Sequence, residues 1–322
     1  MAVYTEVSDD ELARFIDGYD LGALLSCKGI AEGVENTNYL VRTESGPVLL
    51  TLYEKRVNRD DLPFFLGLME HLAGNGLSCP TPVRDRQGNI LQELAGRPAA
   101  MVTFLDGVSV RRPRVEHCAA VGTALAQMHL AGRGFSLRRE NGLGLKDWRP
   151  LYARFRDRED EIAPSSRAVI DAELDHLEAN WPADIPAGVI HADLFPDNVF
   201  FLQDRLSGLI DFYFACNDAL AYDVAVCLNA WCFEADNSFN LTKGRALLRA
   251  YDAVRPLDAA ERRALPLLAR GSALRFLLTR AYDWINTPPD ALVKRKDPLE
   301  YLRRLRFHQS IASASEYGLD RN

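Results

Sequence analysis

One stretch, residues 189–212, limits what this chain can fold into more than any other. It reads Val189-Ile-His-Ala-Asp-Leu-Phe-Pro-Asp-Asn-Val-Phe-Phe-Leu202, then Gln203-Asp-Arg-Leu-Ser207, then Gly208-Leu-Ile-Asp-Phe212. Residues 198–202 and 206–212 read as the two arms of a tight antiparallel hairpin. Asn198 starts the first arm and Asp211 ends the second, so antiparallel pairing carries both oxygen-bearing side chains to one end of the ladder. Asp193 lies in the loop just before. Three hard oxygen donors converging on one point suit Mg²⁺ held jointly with substrate phosphates. Phosphoryl transfer asks for such a set: groups that hold metal on the nucleotide, and a carboxylate that orients the attacking hydroxyl and accepts its proton. The expected assignment is Asn198 and Asp211 to metal and Asp193 to the hydroxyl. His191 shares this catalytic loop and braces it by hydrogen bonding, while Pro196 stiffens the turn. Asp197 reads as a solvated or capping residue.

The rest of the chain supplies two different surroundings for that stretch. Ser8-Asp-Asp-Glu11 has capping-box spacing, which predicts a helix over 9–17. Segments 27–31, 38–43 and 48–53 read as strands, with Gly33-Val-Glu-Asn-Thr-Asn38 and Glu44-Ser-Gly-Pro47 as turns. A helix follows from Asn58, carrying Phe65, Leu68, Met69 and Leu72 at helical spacing and ending at Asn75-Gly76. Strands are expected at 83–85, 90–94 and 99–104. Beyond Gly107 the pattern turns helical, over 113–131, 151–181 and most of 220–315. The expected architecture is two-lobed α+β: a small antiparallel β-lobe with one helix, residues 1–103, and a larger, mostly helical lobe, residues 104–322.

Composition narrows the function. The 322 residues are 48% hydrophobic, enough for a sizeable core, and 38 Lys+Arg against 45 Asp+Glu leave a net charge of −7. A chain devoted to nucleic acid would carry a basic face instead. No run approaches about 20 uninterrupted apolar residues, so no membrane span is expected, and the N-terminus lacks signal-peptide character. Six cysteines without a Cys-x-x-Cys read as buried free thiols, which points to the cytoplasm.

His191-Ala-Asp193 with Asn198, then Ile210-Asp-Phe212, resembles the catalytic and metal motifs of the protein-kinase-like fold. The chain is most similar to the aminoglycoside phosphotransferase and choline kinase superfamily, in which the active carboxylate follows His-x. The segments around residues 33–39, 191–201, 208–217 and 223–234 look like those of the homoserine kinases in that superfamily. The resemblance covers nearly the whole chain. It implies ATP and Mg²⁺ as cofactors and L-homoserine as the small-molecule partner, giving O-phospho-L-homoserine on the route to threonine.

The resemblance also assigns supporting residues. Asn36, Thr37 and Asn38 would cover the nucleotide phosphates, and Met101 and Thr103 would begin an adenine-binding connector that runs to Asp106. Thr51 stands where kinase folds place a phosphate-pairing lysine, with Glu70 as the helix partner. Either Lys55 or Arg56 reaches back to that place, or a hydroxyl serves and the phosphates are left to Mg²⁺. Asp223 matches the superfamily's aspartate that braces the catalytic loop, with a helix N-cap as the other reading. A zwitterionic acceptor needs a cation for its carboxylate. Arg275 and Arg280 are candidates for that role, and Tyr213 and Asn217 could line the pocket. Two alternatives stay open: a kinase of another amino alcohol, sugar or aminoglycoside, and a catalytically silent pseudokinase that only binds.

Overall fold

The computed structural model describes residues 5–30, 36–54, 57–164, 166–287 and 295–319. The chain divides into two compact units. The first comprises residues 1–107, 135–137 and 207–213, and the second comprises 108–134, 138–206 and 214–322.

The first unit opens with α1 (Asp9–Ile16), whose Ser8 and Glu11 form the expected capping box. Five strands follow, β1 (Leu24–Ile30), β2 (Thr37–Thr43), β3 (Gly46–Leu52), β4 (Gln92–Leu94) and β5 (Arg97–Thr103), with α2 (Leu62–Gly74) between β3 and β4. They form one antiparallel sheet of order β1-β2-β3-β5-β4. Alternation along β2 and β3 sends Tyr39, Val41, Val48, Leu50 and Leu52 into a core shared with Leu12 and Ile16 of α1. The strand expected at 83–85 is absent. The Asp85 carboxylate instead accepts from the amides of Gln87 and Asn89 and from Asn89 Nδ2. Such side-chain to backbone bonds offer the chain an alternative to a ladder.

The second unit holds β6 (Val108–Ser109), α3 (Val115–Ala131), α4 (Leu145–Ala153), α5 (Ser166–Asn180), β7 (Ala187–Ile190), β8 (Val199–Leu202) and β9 (Arg205–Leu209). It continues with β10 (Cys216–Ala219), α6 (Leu220–Trp231), α7 (Leu241–Val254), α8 (Ala259–Asn286) and α9 (Pro298–Gln309). The helix expected over 151–181 is interrupted: α4 ends at Ala153, a 3-10 helix spans Arg156–Glu161, and α5 begins at Ser166, just past Pro164, which cannot extend a preceding helix. The β8–β9 hairpin turns at Gln203 and Asp204, whose φ of 48° and 63° match a two-residue hairpin turn. Within β9 the chain passes from the second unit to the first. β7 pairs antiparallel with β10, Ile190 opposite Cys216, and α6 begins immediately after β10. Helix α6 is buried along nearly its whole length, which is why it reads as an apolar run broken only by Asp223 and Asn229. This β10–α6 connection sets Asp223 under the residues that leave β7.

Candidate active site

His191 is the first residue past β7. Its amide donates to Asp223 Oδ2 at 2.7 Å, and the next amide, of Ala192, donates to Oδ1 at 2.9 Å. One carboxylate therefore holds two consecutive amides, the charge-assisted kind of bond that fixes a loop. The loop needs that support, since Ala192 sits at φ 62°, a left-handed conformation that costs an alanine about 1–2 kcal/mol. The Ala192 carbonyl accepts from Arg275 Nη1, so both polar groups of this strained peptide are tied down. Asp223 is fully buried. Burial works against its charge, yet the hydrogen bond from His129 and the neighbouring His191 outweigh it and hold its carboxyl below the ordinary aspartate range. Both expected roles for Asp223 reduce to one, and the loop brace is the one the hydrogen bonds support.

A chain of buried polar groups stands behind Asp223. His129 Nε2 lies 3.1 Å from Asp223 Oδ2, and His129 Nδ1 lies 2.7 Å from the Tyr251 hydroxyl. Arg255 donates to that hydroxyl at 3.0 Å and pairs with Glu261 at 2.9 Å. Each link can be made with one donor and one acceptor.

Downstream, Asp193 is half-buried. Its amide donates to His191 Nδ1 at 3.3 Å. Asn198 donates through Nδ2 to the Asp193 carbonyl at 2.8 Å and to Asp193 Oδ2 at 3.3 Å. Its amide oxygen Oδ1 is then the atom left to meet a cation. Trp231 Nε1 donates to the Leu194 carbonyl at 2.8 Å and pins the loop from α6. Burial pushes the Asp193 carboxyl above its ordinary value, against the opposing influence of Arg275, His191 and Lys296, and Asp197 adds to the rise.

Asp211 and Tyr213 belong to the first unit. Asp211 is exposed and sits at φ 63°, a second strained non-glycine position, the kind that clusters at functional sites. The Tyr213 hydroxyl lies 3.2 Å from that of Tyr53, and its ring packs edge-on against Tyr53 and Phe65. Burial, followed by the charge of Asp211, pushes this hydroxyl up to about 12, even though Thr51 also bonds to it. Thr51 itself donates to Asn38 Oδ1 at 2.8 Å. The place where a lysine was expected is thus a neutral hydroxyl in a network that adjoins Asp211.

Other expected site residues are committed elsewhere. Glu70 pairs with Arg84 at 2.6 Å on the surface, because Arg84 reaches it from just before the 85–89 loop, and it does not serve a β3 cation. Thr37 is fully buried and donates to Glu54 at 2.8 Å, and Asn36 accepts from the Glu54 amide, so both hold the sheet rather than phosphate. Met101 O accepts from Val83 N and Thr103 N donates to Thr81 O, which removes those backbone groups from adenine. Arg275 is buried and spent on the loop, and Arg280 pairs with Glu300. Asn217, on β10, accepts from the Arg139 amide at 2.9 Å. Lys55 and Arg56 lie outside the described residues, as do residues 31–35 of the expected phosphate turn. Sequence reasoning missed the Tyr251–Arg255 link and Lys296. Neither falls in a motif, and only the folded chain sets the first behind His129 and Asp223 and the second over Phe195.

No helix among the described residues is long and apolar enough to cross a membrane, and all six cysteines are free. The phosphotransferase enzyme family matches residues 26–257. A homoserine kinase of Xanthobacter autotrophicus is 67% identical over 319 residues, 99% of each chain. One of Brucella anthropi is 66% identical over 320 residues, 99% of this chain and 98% of that one. Among solved structures, an amicoumacin kinase complexed with AMP-PNP superposes with a TM-score of 0.68 at 15% identity over 95% of each chain. A choline kinase of Cryptosporidium parvum gives 0.65 at 15% identity over 88% of each. These likenesses bear out the α+β, protein-kinase-like fold expected from the motifs. The chain belongs to the phosphotransferase enzyme family and, within it, to the group of these homoserine kinases.

Proposed function

We propose that this chain is an ATP-dependent kinase of L-homoserine. The observation that carries the reading is near full-length identity to homoserine kinases. In the reaction the side-chain hydroxyl oxygen bonds to the γ-phosphorus, the bond from that phosphorus to the β-bridging oxygen breaks, and ADP leaves. Asp193 orients the hydroxyl and takes its proton. Its raised pKa suits that task, since a base is most effective when its pKa lies nearer the working pH. The Ala192 and Leu194 carbonyls are anchored by Arg275 and Trp231. Asp193, between them, is thereby pre-positioned, and little ordering remains when substrate arrives.

The donors fit Mg²⁺. Asn198 keeps an amide oxygen and Asp211 an exposed carboxylate, both hard ligands. The described residues contain no cluster of three or more His, Cys, Asp or Glu side chains that could hold a metal. A cation taken up by either group would complete its shell with nucleotide phosphates, the mode usual for Mg²⁺ in kinases. Bound there, it would neutralise charge on the phosphates. Residues after Thr103 would receive the adenine, and Thr51 with Asn38 would meet phosphate in place of a lysine.

The test is ADP release by the purified chain with Mg²⁺ and ATP, offering L-homoserine, choline, methylthioribose, hydroxylysine and kanamycin at equal concentration. L-Homoserine should give the highest kcat/KM. A preference for any other acceptor would overturn the substrate while leaving the kinase activity standing.

A further inference from the structure

The substrate reading leaves one requirement unmet by the arginines proposed for it. L-Homoserine carries a carboxylate whose carbon lies about 5 Å from the reacting hydroxyl when extended. A cation must therefore stand within a few ångströms of Asp193 and face solvent, where the substrate arrives. Three basic side chains act on the Asp193 carboxylate: Arg275, His191 and Lys296. Arg275 is only 2% exposed and donates to the Ala192 carbonyl, and His191 is fully buried. Arg280 is held by Glu300 and by the Asp297 carbonyl. Lys296 is the exposed one. Its ammonium lies 5.7 Å from the centroid of the Phe195 ring, and the Phe195 amide donates to the Asp193 carbonyl at 2.8 Å. Phe195 in turn packs edge-on against Phe276 of α8, at 4.9 Å between centroids, so the surface under Lys296 is fixed. Asp197, on the same loop, also faces Asp193 and is exposed.

We propose that Lys296, poised over Phe195 beside the catalytic loop, binds the carboxylate of the acceptor and so selects an amino-acid alcohol over a plain amino alcohol. The inference rests on the substrate reading above. The Phe195 ring attracts the ammonium above it and so holds it beside the loop while it stays open to water. An ammonium on a flexible stem suits a small carboxylate that must enter and leave with each turnover.

The experiment compares wild type, Lys296→Gln and Lys296→Arg with L-homoserine and with 3-amino-1-propanol, the same molecule without its carboxylate. In Lys296→Gln the KM for L-homoserine should rise roughly tenfold to a hundredfold, the worth of one charge-assisted bond. Its KM for ATP should stay within about twofold of wild type, and its loss of kcat/KM should be much smaller with 3-amino-1-propanol than with L-homoserine. Lys296→Arg should recover most of the homoserine affinity. A Lys296→Gln enzyme with unchanged KM for L-homoserine, or with equal losses on both acceptors, would overturn the inference alone. Wild type that ignores L-homoserine would overturn the substrate reading and this inference together.

Discussion

Burial raises the carboxyl of Asp193 above the ordinary aspartate value of 3.8, and that rise has a sign for stability as well as for catalysis. A carboxyl whose folded pKa exceeds its unfolded one favours the fold at low pH. That contribution is lost as pH rises through the raised value. Once ionised, Asp193 therefore works against folding. Asp193→Asn keeps the shape and removes the charge. It should lower kcat by about 10²–10⁴-fold, the usual contribution of a general base. Its unfolding midpoint should equal or exceed that of wild type in calorimetry at pH 7. A variant that turns over normally would remove Asp193 from the chemistry, and one that unfolds well below wild type would sink the desolvation argument. Asp193 and Asn198 were legible in the sequence because their geometry is local: five residues and one short turn bring the amide to the carboxylate. Arg275 was misread because its partner, Ala192, lies 83 positions away. A buried arginine serving a carbonyl looks the same in sequence as an exposed one serving a substrate.

Helices α3 and α7 meet closely at Gly122. A Cβ added at Gly122 would stand 2.2 Å from the Leu247 carbonyl oxygen, so α3 cannot carry a larger residue there unless the two helices move apart. Seven residues on, about two turns along α3, His129 reaches Tyr251 of α7 and Asp223 of α6. Gly122→Ala should thus cost about 1–3 kcal/mol in chemical denaturation, the range for overpacking. It should also lower kcat, because separating α3 from α7 stretches the bonds behind the catalytic loop. Loss of stability with kcat intact would show that the loop does not depend on the spacing of these helices. The helices with strong apolar periodicity were readable in advance, and so were β2, β3 and β5. The strand β10 was not, since Cys216-Asn-Asp-Ala219 has little strand propensity and forms only because β7 offers a partner.

At the scale of the molecule, the C-terminal helices of the second unit are joined through one buried histidine. His308 on α9 lies 2.7 Å from the Tyr317 hydroxyl through Nδ1 and 3.1 Å from Asn229 Oδ1 through Nε2. Asn229 on α6 donates to the Ala269 carbonyl of α8 at 3.1 Å, and its own carbonyl accepts from Arg304 at 2.5 Å. Three helices and the final turn thus meet at a neutral imidazole. Burial, reinforced by the charges of Arg304 and Arg270, drives its pKa from 6.5 down to about 3. A base with a depressed folded pKa contributes stability above its unfolded value and loses it as pH falls, since only the unfolded chain takes up the proton. The unfolding free energy should therefore begin to fall below pH 6.5 and keep falling towards about 3. Its limiting slope from this group is about 1.4 kcal/mol per pH unit. The cleanest window is pH 6.5 to about 5, where ordinary carboxylates remain ionised. His308→Gln, which keeps an amide able to donate and accept, should be less stable at pH 7.5 but show a flatter profile across that window. Denaturation curves for the two proteins at four or five pH values decide the matter, and parallel profiles would mean that His308 is not the group whose protonation loosens the helical unit.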